Sequence, residues 1–186
     1  MNTHQKGEAL HLGIAERGKI YAVEGNHKEA LRYYREAIRL SVQNKSPEIF
    51  FQHYLQCVME SLEKSGGHQE VIDYCQKALD LLQKQDLSED ATRKLYGSTL
   101  EKMAVQWLLL GDSDAALERL REARKVTGAK VLPLTDQLLG WVERRYAITP
   151  KQIREAQERH RYFVVRREQI NPKIAIELPK QAAPIL

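Results

Sequence analysis

The residues Gly18, Tyr21, Gly25, Ala30, Tyr34 and Ala37 are separated by steps of 3, 4, 5, 4 and 3. The same steps return at Met59, Leu62, Gly66, Val71, Cys75 and Ala78, and again at Ala104, Trp107, Gly111, Ala116, Leu120 and Ala123. Steps of three and four keep residues on one face of a helix, and the glycine before the five-step breaks the chain between two such runs. A spacing that occurs three times in 186 residues defines a repeat whose unit is a pair of helices. Such units stack on their neighbours and offer a surface; they rarely carry chemistry.

The apolar recurrence predicts eight helices. The first is expected over about 5–24, with Leu10, Ile14, Arg17, Ile20 and Tyr21 on its stripe, and the second over 28–43 after Gly25-Asn26. Ser46-Pro47 reads as an N-cap followed by proline at the first helical position, opening a third helix to about Lys64; a fourth follows Gly66-Gly67 and runs to about Lys84. A fifth spans the region from Ser88 to Leu110, and a sixth runs from Ser113 to Gly128. Beyond Gly128 the ladder stops. A seventh helix is expected over 132–146 and an eighth from Thr149-Pro150 to about Glu168, a closing pair that covers the last stacking face. Residues 171–186, with three of the six prolines, are expected to be extended. The chain thus divides into 1–128, 129–170 and 171–186.

Apolar residues at 42% support a continuous core, and charged residues at 29% a solvated surface. The first residues are polar and lack the apolar centre of a secretory signal, and no run approaches the length of a membrane span, so the expectation is a cytoplasmic protein that does not engage a membrane. The two cysteines, Cys57 and Cys75, read as packed core thiols. Net charge is +4, and it is unevenly placed: residues 1–128 carry −1 and residues 129–186 carry +5.

The ladder resembles the tetratricopeptide repeat family, over roughly residues 10–128. Gly18, Tyr21, Gly25, Ala30, Tyr34 and Ala37 match that pattern at every step, and the third occurrence departs only in Leu120. The second departs most, with Met59, Val71 and Cys75 where small residues and an aromatic are usual. The resemblance implies a right-handed α-solenoid of three antiparallel helix pairs, followed here by the closing pair. It also implies that the first helices of successive units line a groove. Helical arithmetic then places Leu12, Ala15, Lys19 and Ala22 on the groove in the first unit. His53, Gln56, Glu60 and Glu63 follow in the second, and Ser98, Glu101, Val105 and Leu108 in the third. One subclass of the family clamps a peptide's terminal carboxylate with basic residues; here only Lys19 has that character, opposed by Glu60, Glu63 and Glu101. A groove apolar at its ends and acidic in its middle suits a basic or amphipathic segment.

Residues 13–20, GIAERGKI, approach a phosphate-binding loop, but they lack its serine or threonine, follow no strand and fall within a helix. The six histidines, at 4, 11, 27, 53, 68 and 160, form no metal-ligand spacing, and no nucleophile, base and acid grouping emerges. No cofactor and no catalysis are expected. Arg144, Arg145, Lys151, Arg154, Arg159, Arg161, Arg166 and Arg167 form a basic patch. Interleaved with Tyr162 and Phe163, it has the ingredients of a nucleic-acid surface, although Glu155, Glu158 and Glu168 interrupt it. The segment 173–178, KIAIEL, alternates apolar residues between prolines and reads as a docking strand for this chain or another. The leading expectation is a non-enzymatic adaptor, scaffold or chaperone-like module holding a peptide or partner protein in the groove. A structural subunit or homo-oligomer assembled through the basic helix and tail stands second, and nucleic acid is the weakest of the partner classes.

Overall fold

The rungs of the ladder fall where two helices meet or where the chain turns. In the computed structural model, which describes residues 3–179 with side chains from residue 10 onward, Ala30, Tyr34, Ala37, Val71, Cys75, Ala104, Ala116, Leu120 and Ala123 are fully enclosed. Gly25, Gly66 and Gly111 have φ of 81°, 87° and 85°, the left-handed geometry that ends a helix and suits glycine. Tail residues 180–186 and the side chain of His4 lie outside the described residues.

The chain is all-α. Its helices are α1 (Thr3–Val23), α2 (His27–Gln43), α3 (Glu48–Lys64), α4 (His68–Leu82), α5 (Asp90–Leu109), α6 (Ser113–Thr127), α7 (Pro133–Glu143) and α8 (Pro150–Arg159). Two 3-10 turns follow, at Arg167–Gln169 and Pro172–Ile174, and there is no strand among the described residues. Asn26 and Asp112 cap α2 and α6 by accepting from Glu29 and Ala115 N–H groups, and Thr149 forms a capping box with Gln152 at α8. Ser46 is an exception to its expected cap role. Pro47 takes the cap position of α3 without a side-chain bond, and the Ser46 hydroxyl instead lies 3.0 Å from His11 Nε2.

The chain forms two compact units, Met1–Ser65 with Val164–Leu186, and Gly66–Phe163. In the first, α1 packs on α2, α2 on α3 and α1 on α3. Its core gathers Ile14, Ala15, Tyr33, Ala37 and Tyr54, joined by Ile176 and Leu178 from the C-terminal segment. His11, wholly buried, bridges Tyr54 Oη (2.7 Å) and Ser46 Oγ (3.0 Å), so its imidazole is satisfied inside the core. In the second unit α5 packs on α4 and α6, α6 on α7, and α8 on α5 and α7. Val105, Leu108, Ala116, Leu120, Leu138, Leu139, Val142, Ile153 and Ala156 share its core.

The eighth helix ends at Arg159 rather than continuing to Glu168. Arg161 takes φ 53°, and the N–H groups of Arg161 and Tyr162 turn back to the carbonyls of Glu158 and Gln157 at 3.1 and 2.9 Å. That is a Schellman ending with arginine in the place glycine usually holds. Helices α7 and α8 therefore span 133–159, and extended chain begins well before residue 171.

Gly18 shows what the ladder's small positions do. A Cβ there would lie 2.8 Å from the ring of the buried Tyr34 and 3.1 Å from Tyr33 Cβ. Gly18→Ala should therefore destabilise the chain by about 1–3 kcal/mol through overpacking, despite alanine's better helix propensity. A urea melt checks this; an unchanged or raised midpoint would show that α1 and α2 do not approach as described.

Candidate functional site

The chain from Val164 to Pro179 runs extended, apart from its two 3-10 turns, over α1, α2 and α3 of the first unit. Side chains of the helices meet it at its backbone. Glu60, 3% exposed, accepts through Oε2 from the N–H groups of Val164 (2.8 Å) and Val165 (3.0 Å), while its Oε1 pairs with Lys64 Nζ at 2.7 Å. Glu16 repeats the arrangement one helix away. Its Oε2 accepts from Asn171 N–H at 2.8 Å and its Oε1 from Lys19 Nζ at 2.7 Å. Ile176 N–H donates to the Gly13 carbonyl at 2.9 Å, Leu178 N–H donates to Tyr33 Oη at 3.0 Å, and Arg32 donates to the Pro179 carbonyl at 3.3 Å. Buried carboxylates are tolerated here because each has a cation on one oxygen and backbone donors on the other.

Side-chain recognition concentrates at Glu177. Its carboxylate takes a 2.5 Å bond from the Tyr33 hydroxyl, a 3.4 Å contact from Tyr21 and a 2.5 Å ion pair with Arg17. The Tyr33 bond, then Arg17, holds this carboxyl below its ordinary pKa, whereas burial first and then the Glu177 carboxylate push Tyr33 up to about 12. Ile176 and Leu178, on either side, enter the apolar cluster of the first unit. Gly13 makes the approach possible. A Cβ there would stand 2.5 Å from the Ile174 carbonyl oxygen and 2.5 Å from the Ile176 side chain, and its three nearest neighbours all belong to this segment.

Of the residues assigned to a groove by sequence, Leu12, Lys19, Ala22, His53 and Gln56 are half-buried and Ala15 is enclosed. His53 lies 3.8 Å from Cys57 Sγ, and burial, then Lys19, lowers its pKa. Glu60, Glu63 and Glu101 are all buried. Glu60 binds the chain's own backbone at Val164 and Val165. Glu101, in the second unit, accepts from Thr135 N–H at 2.8 Å and Thr135 Oγ1 at 2.7 Å, satisfying a donor of the first turn of α7. Burial raises its pKa despite those bonds. Val105 and Leu108 belong to the second unit's core. The acidic middle that suggested a basic ligand is thus engaged at Glu60 and Glu101 in internal contacts. Sequence reasoning passed over Glu16, Arg17 and Tyr33; the available signals were Gly13, a glycine inside a helix, and the alternating segment at 173–178.

Six residues of the expected basic patch, Arg144, Arg145, Lys151, Arg154, Arg159 and Arg161, lie in the second unit and are exposed; Arg166, half-buried, and Arg167, exposed, lie in the first. Lys151 pairs with Glu155 at 3.8 Å, and Arg167 reaches the Val23 carbonyl at 3.4 Å. Tyr162 has Lys102 Nζ 4.2 Å over its ring and Phe163 edge-on at 5.2 Å, so that ring is already engaged within its unit. Cys57 and Cys75 are both buried, and burial pushes the Cys57 thiol up to about 12. Among the described residues no three His, Cys, Asp or Glu side chains gather as a metal site, and no helix is long and apolar enough to cross a membrane.

These bonds have measurable consequences. Glu101→Ala strands Thr135's donors and should cost about 1–3 kcal/mol in a denaturant melt; no loss would remove Glu101 from its structural role. Glu177, its pKa lowered by docking, contributes stability that is present above the unfolded carboxylate value of about 4.3 and is lost as pH falls through the docked value. The Ile176 and Leu178 amide resonances should therefore move toward random-coil positions on acidification below about pH 4.3, and Glu177→Gln should remove that titration. Compared with protein-family models, curated proteins and solved structures, the chain matches none.

Proposed function

We propose that this chain is a non-enzymatic protein-interaction module, a tetratricopeptide-like scaffold of stacked helical hairpins, that holds an extended segment of a partner protein. The observation that carries this reading is the set of acceptors on the first unit. Glu60, Glu16, the Gly13 carbonyl and Tyr33 Oη all receive backbone N–H groups of an extended chain. Backbone-directed bonds supply affinity for an extended peptide whatever its side chains, and neighbouring side-chain contacts supply selectivity. A rigid helical frame presents these acceptors with little ordering cost of its own, leaving most of that cost to the peptide. The repeated helix pairs, with small residues where helices meet, supply such a frame.

A display selection of random extended peptides on the immobilised full-length protein tests this. We expect a consensus with micromolar affinity whose binding falls when Arg17→Glu is introduced. Selection without any consensus would overturn the reading.

A further inference from the structure

The first unit's face holds an extended segment of its own chain. Resting on the interaction-module reading, we propose that this face recognises an extended partner segment in which one glutamate is set between two aliphatic residues, and that residues 176–178 of the chain are its resident occupant, displaced when the partner binds. Ile176 and Leu178 supply the aliphatic contacts. Glu177 supplies the anion for Arg17 and Tyr33, at 2.5 Å each. The selected charge is therefore negative, set by the guanidinium of Arg17. Glu16, the nearby carboxylate on α1, is balanced by Lys19 and faces a backbone N–H of the resident chain.

The resident segment is only partly enclosed by the helices. Ile174 remains 46% exposed and Glu177 stays largely in water, and a single backbone-to-backbone bond, from Ile176 to Gly13, joins the stretch 175–179 to the helices. A partner segment with the same pattern and fuller aliphatic contacts has room to improve on it. A second copy of this chain does not, since it brings the same tail and must compete with one tethered at a local concentration in the millimolar range. Gly13 acts as a gate for any occupant, because only a residue without Cβ lets a backbone pass this close to α1.

The test uses full-length protein and a fluorescein-labelled peptide of residues 170–179, read by anisotropy. Glu177→Lys in the chain frees the face, so the peptide should bind this variant roughly tenfold or more tightly than it binds the wild type. A peptide carrying Glu177→Gln should bind the freed face about tenfold more weakly. Adding Gly13→Ala to the Glu177→Lys chain should abolish binding while leaving its melting temperature unchanged or raised, since alanine favours the helix. Equal binding to wild type and Glu177→Lys, or undiminished binding after Gly13→Ala, overturns the inference. So does concentration-dependent dimerisation of the wild type that Glu177→Lys abolishes, which would make a second copy the occupant. A display consensus that lacks glutamate and ignores Gly13→Ala also overturns it, yet leaves the interaction-module reading standing; failure of that reading is marked by no consensus at all.

Discussion

A buried carboxylate at Glu60 joins the C-terminal segment to α3. One oxygen faces Lys64 and the other receives two successive backbone N–H groups, from Val164 and Val165, about a hundred residues away in sequence. An enclosed carboxylate is costly unless every lone pair finds a donor. A pair of adjacent N–H groups from an extended chain is a good solution, because both can converge on one oxygen. Those donors are available only if residues 164 and 165 are not helical. The contact lies at the start of the C-terminal segment, whose later residues meet Glu16, Gly13 and Tyr33.

Past that anchor, the hold on the segment divides into two kinds. Backbone donors meet fixed acceptors on the helices, which any extended chain can satisfy. Side-chain contacts at Ile176, Glu177 and Leu178 discriminate, and they gather where α1 carries Gly13 and Arg17 and α2 carries Tyr33. The Glu177 end is solvent-exposed and weakly enclosed, while the Glu60 end is buried. A segment anchored at one end and loosely docked at the other is suited to local release, since opening costs least where the fewest buried contacts are broken.

The second unit uses the same device for a different purpose. Glu101 on α5 caps the first turn of α7 through Thr135, and Val105 and Leu108 lie in the core that α7 and α8 complete. Both acids stand at positions where helical arithmetic on α3 and α5 pointed to a common ligand-facing surface. In each case a later part of the chain supplies the N–H groups that such an acid accepts. Conversely, Arg17 was legible only as part of an amphipathic stripe, because its partner at Glu177 is remote in sequence.

The sequence by itself determined the helices and their turns at Gly25, Gly66 and Gly111. These come from local periodicity and from steric limits that a single residue imposes. It also marked the segment at 173–178 as a docking strand through its alternation. Only the tertiary structure decided where α8 stops, since Arg161 gives no local sign of a left-handed ending. It alone placed Glu60, Glu16 and Glu101 inside rather than on a wet surface. The physical reason is the same in both cases: a carboxylate's environment and a helix's last turn depend on which distant backbone donors arrive, and spacing along the chain carries no record of that meeting.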